Sequence, residues 1–384
     1  MIFIDKTEQL ISFCNILKQQ PFITVDSEFL REHSYFPKLC LIQVGYDGDA
    51  AVIDPLAGVD LTPFFAVLQD ENIVKVFHAG RQDIEIFYNL SGKIPQNVFD
   101  TQIAAMVCGY PENISYGNLV CAITHTELDK SCRLTDWSHR PLDEKQIEYA
   151  AGDVTYLVDC YKYLKNYMTE NHREDWIKEE INSLCDENCY NINPQEAWLK
   201  IRHNVHTQKF LTALKYLAQW REQRAQKFNV PRSSILKDDI LLNIASSFPK
   251  TIDDLKQVRN IKSEIVNGRM GGEIIETLNE AAQNLLPTSV CRLDRKKDVI
   301  VPNQEQSLME ILKLLLKIRS QETGVVAKII ASDADLRFII LNQPQNTLTM
   351  QGWRYEIFGK YAEQLCHGKL SISYNPKKKA IEFK

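Results

Sequence analysis

The feature of this 384-residue chain that most restricts its fold is a change of periodicity part-way along it. Up to about residue 170, short runs rich in Val and Ile alternate with helical spacing; from about His206 onward the spacing is helical. ITVDSEF (23–29), LCLIQVGY (39–46), AAVIDP (50–55) and VKVFHA (74–79) read as strands. Pro63 to Leu68 and Gln82 to Leu90 read as helices. Strands interleaved with helices imply an α/β unit with one central sheet. The first three strands lie close together in the chain, so an antiparallel meander is expected.

A long helix is expected from Asp143, where Asp143 and Gln146 form a capping-box-like start. Ile147, Ala150, Ala151, Val154, Leu157, Val158 and Tyr161 then make an apolar stripe. Gly152 interrupts this helix at an expected cost of about 1 kcal/mol, or else permits closer packing. CDENCYNINP (185–194) reads as a linker. Residues 206–286 should form a bundle of four or five short helices, punctuated by Pro231, Pro249 and paired Gly residues. The basic stretch 287–304 reads as a second linker. A further helical segment opens at Leu308 and runs to about Cys366, and the tail around Asn375–Pro376 alternates like a small hairpin.

Chemistry enters with the acids. Asp26 and Glu28 sit two apart on a strand, so both carboxylates project from one face. Beside Phe22, Ile23 and Val25 such a pair is costly unless neutralised, and a divalent cation is the natural neutraliser. Tyr149 and Asp153 sit four apart, one turn above each other, flanking the apolar stripe. Asp83 follows a strand in HAGRQDIEIF, where α/β proteins commonly place sites. Singly, each of these residues also fits an ordinary surface polar group. Together, Asp26, Glu28, Asp83 and Asp153 can hold two hard cations, Mg²⁺ or Mn²⁺, about 4 Å apart, an arrangement suited to phosphodiester hydrolysis. Tyr149, with a phenol pKa near ~10, suits orienting water better than acting as a base.

Charge is divided unevenly, at about −15 over residues 1–200 and about +10 over 201–384. An acidic half suits metal and a basic half suits a polyanion. No apolar run approaches the roughly 20 residues needed to span a bilayer. MIFIDKTEQL has no signal-peptide pattern, so a cytoplasmic protein is expected. The scattered cysteines suit a reducing compartment. Cys185, Cys189, His203 and His206 approach zinc-finger spacing, but the two His are only three apart in number, so they read as linker and helix-start residues.

VDSEF (25–29), HAGRQD (78–83) and EYAAGDVTYL (148–157) resemble the three exonuclease motifs of the DEDD superfamily, tyrosine branch. YFPKLCLIQV (35–44), VIDPL (52–56), VFDTQIAA (98–105) and LDKSCRLTDWSHRPL (128–142) resemble the connecting segments of the ribonuclease D family. Arg81–Gln82 departs from the small or acidic residues common there, without displacing the acid. Residues 207–286 resemble the HRDC module shared with RecQ-type helicases, and 306–370 a more diverged second copy. The resemblance implies an α/β ribonuclease-H-like exonuclease domain (1–190) followed by all-α helical bundle, HRDC-like domains (200–287 and 303–384, the last with a short β tail). It implies 3′→5′ polarity, nucleoside 5′-monophosphate products, Mg²⁺ or Mn²⁺ dependence and maturation of tRNA precursors. Asp26, Glu28, Asp83 and Asp153 become the metal ligands and Tyr149 the water-positioning residue.

The basic module offers Lys209, Lys215, Arg221, Arg224, Lys227 and Arg232 as phosphate contacts, and Trp220 as a core anchor rather than a stacking platform. RNA is the expected partner, and nothing suggests an obligate protein partner, so a monomer is expected. DNA exonuclease activity on the same fold stays open, because no residue can be assigned to a 2′-hydroxyl.

Overall fold

The structure is a computed structural model and describes residues 1–129, 131 and 132, 135–289 and 302–383. Lys130, Arg133 and Leu134 of the 128–142 segment, and most of the 287–304 linker, lie outside the described residues. Six strands, β1 (Ile2–Ile4), β2 (Phe22–Leu30), β3 (Lys38–Tyr46), β4 (Asp49–Ile53), β5 (Val74–Phe77) and β6 (Val98–Asp100), form one mixed sheet in the order β1-β4-β3-β2-β5-β6. β2, β3 and β4 make the expected antiparallel meander. The outer pairings, β1 with β4, β5 with β2 and β6 with β5, are parallel.

Period-2 alternation sorts β2 between two layers. Ile23 and Val25 face a core built with α1 (Thr7–Leu17), α2 (Thr62–Leu68) and α3 (Arg81–Ser91). Thr24 and Asp26 face the other way, toward α6 (Glu144–Glu170) and its neighbours α4 (Thr101–Val107) and α5 (Tyr116–Thr124). β3 lies between two strands and under helices on both faces, so seven of its nine residues are buried in an almost unbroken apolar run.

α6 starts with the expected box: the Asp143 carboxylate accepts from the Gln146 amide at 2.7 Å, and the Gln146 side chain accepts from the Asp143 amide at 3.0 Å. Its stripe of Ala150, Ala151, Val154, Leu157, Val158 and Tyr161 is buried. The Thr24 hydroxyl donates to the Val154 carbonyl at 2.8 Å. A Cβ at Gly45 would stand 3.0 Å from that same carbonyl, so helix and sheet approach too closely there for any side chain. Around Gly152, by contrast, the Cβ position is open, and packing does not demand a glycine.

Residues 208–283 form six helices, the first (Gln208–Phe228) spanning 21 residues, around a core of Leu211, Leu214, Leu217, Ile244, Leu255, Ile274 and Leu278. Trp220 packs against this core and donates to Glu273 at 3.0 Å. The β2–β3 loop docks on the bundle through Tyr35, whose backbone amide donates to the Asn229 side chain at 3.1 Å and whose hydroxyl donates to Glu222.

The bundle corrects part of the phosphate-contact expectation. Arg221 is 4% exposed and donates to the Leu236 carbonyl (2.9 Å) and to Asp238 (2.6 Å). Arg224 pairs with Glu273 at 2.7 Å, and Arg232 forks onto Glu222 at 2.5 and 2.6 Å. Arg221 is therefore an internal tie, while Arg224 and Arg232 are ion-paired within the fold with the Arg232 side chain still 41% exposed. Lys209 and Lys227 are exposed and Lys215 is half-buried.

The second helical segment, opening with Gln306–Thr323, does not bury its apolar face against itself alone. Leu312, Leu315, Leu336 and Phe358 join one continuous core with Val107, Leu119, Leu157 and Leu164 of the α/β unit. Arg173 bridges the two by donating to the Val107 carbonyl (2.6 Å) and the Thr323 carbonyl (2.8 Å). The Trp176 and Trp353 rings stack at 4.6 Å with 4° between their planes. The tail forms the expected hairpin, Ile372–Asn375 against Ala380–Phe383. No helix among the described residues is long and apolar enough to cross a membrane.

Candidate active site

Asp26 and Glu28 project from the α6 face of β2, as their spacing demands, and regular pairing breaks at a bulge directly after Glu28. Tyr149 and Asp153, one turn apart on α6, face them. All four line a cleft of about 370 Å³. The Tyr149 ring rests beside Trp137, with centroids 6.0 Å apart. Trp137 is held by the neighbouring Arg140, whose guanidinium forks onto Asp54 (2.6 Å to each oxygen) and donates to the Cys40 and Trp137 carbonyls at 2.8 Å.

Asp83 arrives differently. It does not line that cleft; it lies in the first turn of α3, on the opposite layer, and is 6% exposed. β5 pairs with β2 only as far as Thr24, then turns through Ala79 (φ 55°) and Gly80 into α3. Asp100 secures that turn by accepting from the Gly80 amide at 2.8 Å. The Asp83 carboxylate accepts from the Ser27 hydroxyl at 2.5 Å, so it stands behind β2 at the level of Asp26.

The electrostatics show the acids gathered. Burial, then the charges of Asp83, Asp153 and Glu28, hold the Asp26 carboxyl well above the ordinary carboxylate range. Burial pushes Asp83 up to about 6 against the lowering effect of the Ser27 hydroxyl, and pushes Asp153 up to about 7. No Lys or Arg lines the cleft among the described residues. Oxygen donors of like charge, with no Lys or Arg among the described lining residues to neutralise them, are the donor set that a hard cation prefers. Among the described residues no three His, Cys, Asp or Glu side chains close on one ion-sized point.

Residues without a role in the sequence reading complete the cleft. The Tyr116 hydroxyl donates to the Gly152 carbonyl at 2.8 Å, and its pKa is raised far above the usual phenol value by burial and by Asp153 and Asp26. His78 is pushed down by burial; its Nε2 donates to the Ile114 carbonyl at 3.0 Å, and its Nδ1 lies 2.9 Å from the Thr101 hydroxyl oxygen, whose own proton points to the Phe77 carbonyl. His78 lies inside the quoted HAGRQD run. Tyr116 follows a polar turn with no comparable signal.

The raised acids set a pH dependence. Their folded-state values exceed the ordinary 3.8, so the stability they contribute is complete below about pH 4 and is lost as pH rises through about 6 to 7. The metal-free protein should therefore melt at a lower temperature at pH 8 than at pH 5.5, and Asp153→Asn should reduce that difference. A melting temperature that rises over this interval in calorimetry would show that the acids are not held as described.

Two families match the chain, one described as 3′-5′ exonuclease over residues 1–169 and one as HRDC domain over residues 210–278. Ribonuclease D of Sphingobium indicum is 42% identical over 373 residues, covering 96% of this chain and 95% of that protein. Ribonuclease D of Zymomonas mobilis is 40% identical, covering 98% and 97%. The crystal structure of Escherichia coli RNase D, an exoribonuclease involved in structured RNA processing, superposes with a TM-score of 0.80 at 28% identity, over 95% of this chain and 98% of that one. Likeness of this extent, over the acidic α/β unit and the helical segments alike, means that the chain belongs to the ribonuclease D family of 3′-5′ exoribonucleases.

Proposed function

We propose that this protein trims tRNA precursors and other stable RNAs from their 3′ ends, releasing nucleoside 5′-monophosphates, as a cytoplasmic monomer. The observation that carries the reading is the crowding of Asp83, Asp153 and Glu28 around Asp26 beside an open cleft. Asp26, Glu28, Asp83 and Asp153 hold two divalent cations, Mg²⁺ or Mn²⁺. When bound, these supply a nucleophile at neutral pH and stabilise the charge on the departing 3′ oxygen. Tyr149 orients the attacking water through its hydroxyl, with the ring fixed by Trp137. Tyr116 keeps α6 seated through Gly152, so Asp153 and Tyr149 stay aimed at the β2 acids.

The 2′-hydroxyl decides the substrate class. Matched 5′-labelled single-stranded RNA and DNA, incubated with Mg²⁺, should give a ladder shortening from the 3′ end, with RNA degraded faster and 5′-monophosphates as products. Equal or faster cutting of DNA would contradict the RNA assignment, and 3′-phosphate products would contradict the reaction.

In this reading the basic bundle grips phosphate through Lys209, Lys215 and Lys227. Because the second helical segment shares a core with the α/β unit, truncating the chain would not test this cleanly. Substitution does: Lys209→Ala and Lys227→Ala should each lower the slope of log affinity against log salt by about 1 in filter-binding titrations. An unchanged slope in the double variant would place the grip elsewhere.

A further inference from the structure

Gln43 is the lone amide in the apolar run of β3. It is 0% exposed, and neither its Nε2 nor its Oε1 has a hydrogen-bond partner. Buried polar atoms are nearly always paired, and an orphaned amide is destabilising, so a side chain kept in this state calls for a reason. Its row of the sheet supplies one. Gln43 is directly opposite Asp26 on β2 and opposite Val52 on β4. Directly opposed residues share a face, with Cβ atoms about 4.5–5.5 Å apart. Val52, Leu41 and Ala150 form a small buried cluster on this side and have no polar side-chain atoms. The polar cross-strand neighbour of the amide is therefore Asp26.

α6 closes the space above. Thr24 and Gly45 are the pair one step along the same face; the Thr24 hydroxyl donates to the Val154 carbonyl and a Cβ at Gly45 would crowd that carbonyl, while Ala150 packs with Leu41 on the other side of Gln43. Packing on both flanks leaves the amide no route to solvent.

We propose that Gln43 is a positioning residue for the exonuclease reaction: unpartnered in the metal-free protein, its Nε2 donates to one Asp26 oxygen once a divalent cation binds, and so presents the other oxygen to that cation. The proposal rests on the reading of Asp26 as a cation ligand. A ligating carboxylate is commonly oriented by a hydrogen bond from the residue behind it, and loss of that bond weakens metal binding. Leu or Met at position 43 would suit the surrounding cluster as well or better, and would leave Asp26 free to swing.

Gln43→Met and Gln43→Leu in the full-length protein provide the test, with Asp26→Asn alongside. Mn²⁺ binding without RNA is followed by calorimetry, and the Mn²⁺ requirement and the KM for RNA are measured separately. Both Gln43 variants should melt no lower than the parent in the absence of metal. They should bind Mn²⁺ about tenfold more weakly and need correspondingly more Mn²⁺ for half-maximal activity, at an unchanged KM for RNA. Mn²⁺ affinity within twofold of the parent in a folded Gln43 variant, while Asp26→Asn abolishes binding, overturns the role of Gln43 and leaves the metal reading standing. Unchanged binding in Asp26→Asn overturns both.

Discussion

Replacing Asp26 with asparagine should abolish 3′ trimming, by about a thousandfold or more, while making the metal-free protein more stable at pH 8. The two effects share one cause. Asp26 is half-buried at the cleft beside three other carboxylates, and its carboxyl is held well above the ordinary range by desolvation and by their charges. Asparagine keeps the shape and removes the ionisation that the surroundings resist. The stability difference has a sign that can be checked: near pH 4 the Asp26 carboxyl is protonated and the two proteins should melt alike. As pH rises the parent loses stability and the variant does not. Calorimetry between pH 4.5 and pH 8, with a parallel nuclease assay, tests both limbs. A variant destabilised at every pH would mean that Asp26 supports the fold rather than a function.

Arg354→Ala should destabilise the protein by about 3–5 kcal/mol, because it breaks a buried ion pair by removing one partner. Arg354 is 5% exposed, donates to the Ile329 carbonyl at 2.8 Å, and ion-pairs with Glu179 and Glu180 on α7 (Lys178–Leu184). Burial already raises the Glu180 pKa against the pull of Arg354; without the arginine that carboxylate is left buried and uncompensated. The neighbouring Trp353 stacks on Trp176, so the same spot also joins the two aromatic surfaces. The shared core makes the loss global. Urea unfolding should keep a single transition at lower denaturant, since releasing Leu312 and Phe358 also exposes Leu119 and Leu157. A separate early transition that left the α/β unit unchanged would show that the helical segment is only tethered.

Much of the site is local in origin, and that part is legible in the residues. A period of 2 puts Asp26 and Glu28 on one face, and a capping box with a four-residue spacing puts Tyr149 and Asp153 on one side of α6. Asp83 is different in kind: it comes from the opposite layer and is fixed by Ser27 and by a turn that Asp100 caps, none of which a spacing rule encodes. Tyr149 depends on Trp137, which in turn depends on an ion pair between Arg140 and Asp54, 86 positions apart.

Strands of three residues, β1 and β6, are too short to show a period, and parallel pairing with a longer neighbour determines them. The arginines of the first bundle read as surface charge because their partners, Glu222, Asp238 and Glu273, come from other turns and other helices. The second helical segment shows the same limit. Its apolar stripe is plain, but the periodicity does not say that it is completed by α4, α5 and α6.

Crystals of the full chain soaked in Mn²⁺ and measured at the manganese absorption edge test the central claim most directly. Two anomalous peaks about 4 Å apart, both contacting Asp26 and flanked by Glu28, Asp83 and Asp153, are the expected result. Saturating Mn²⁺ with no peak between β2 and α6, or manganese found only on separate outer surfaces, would contradict the account.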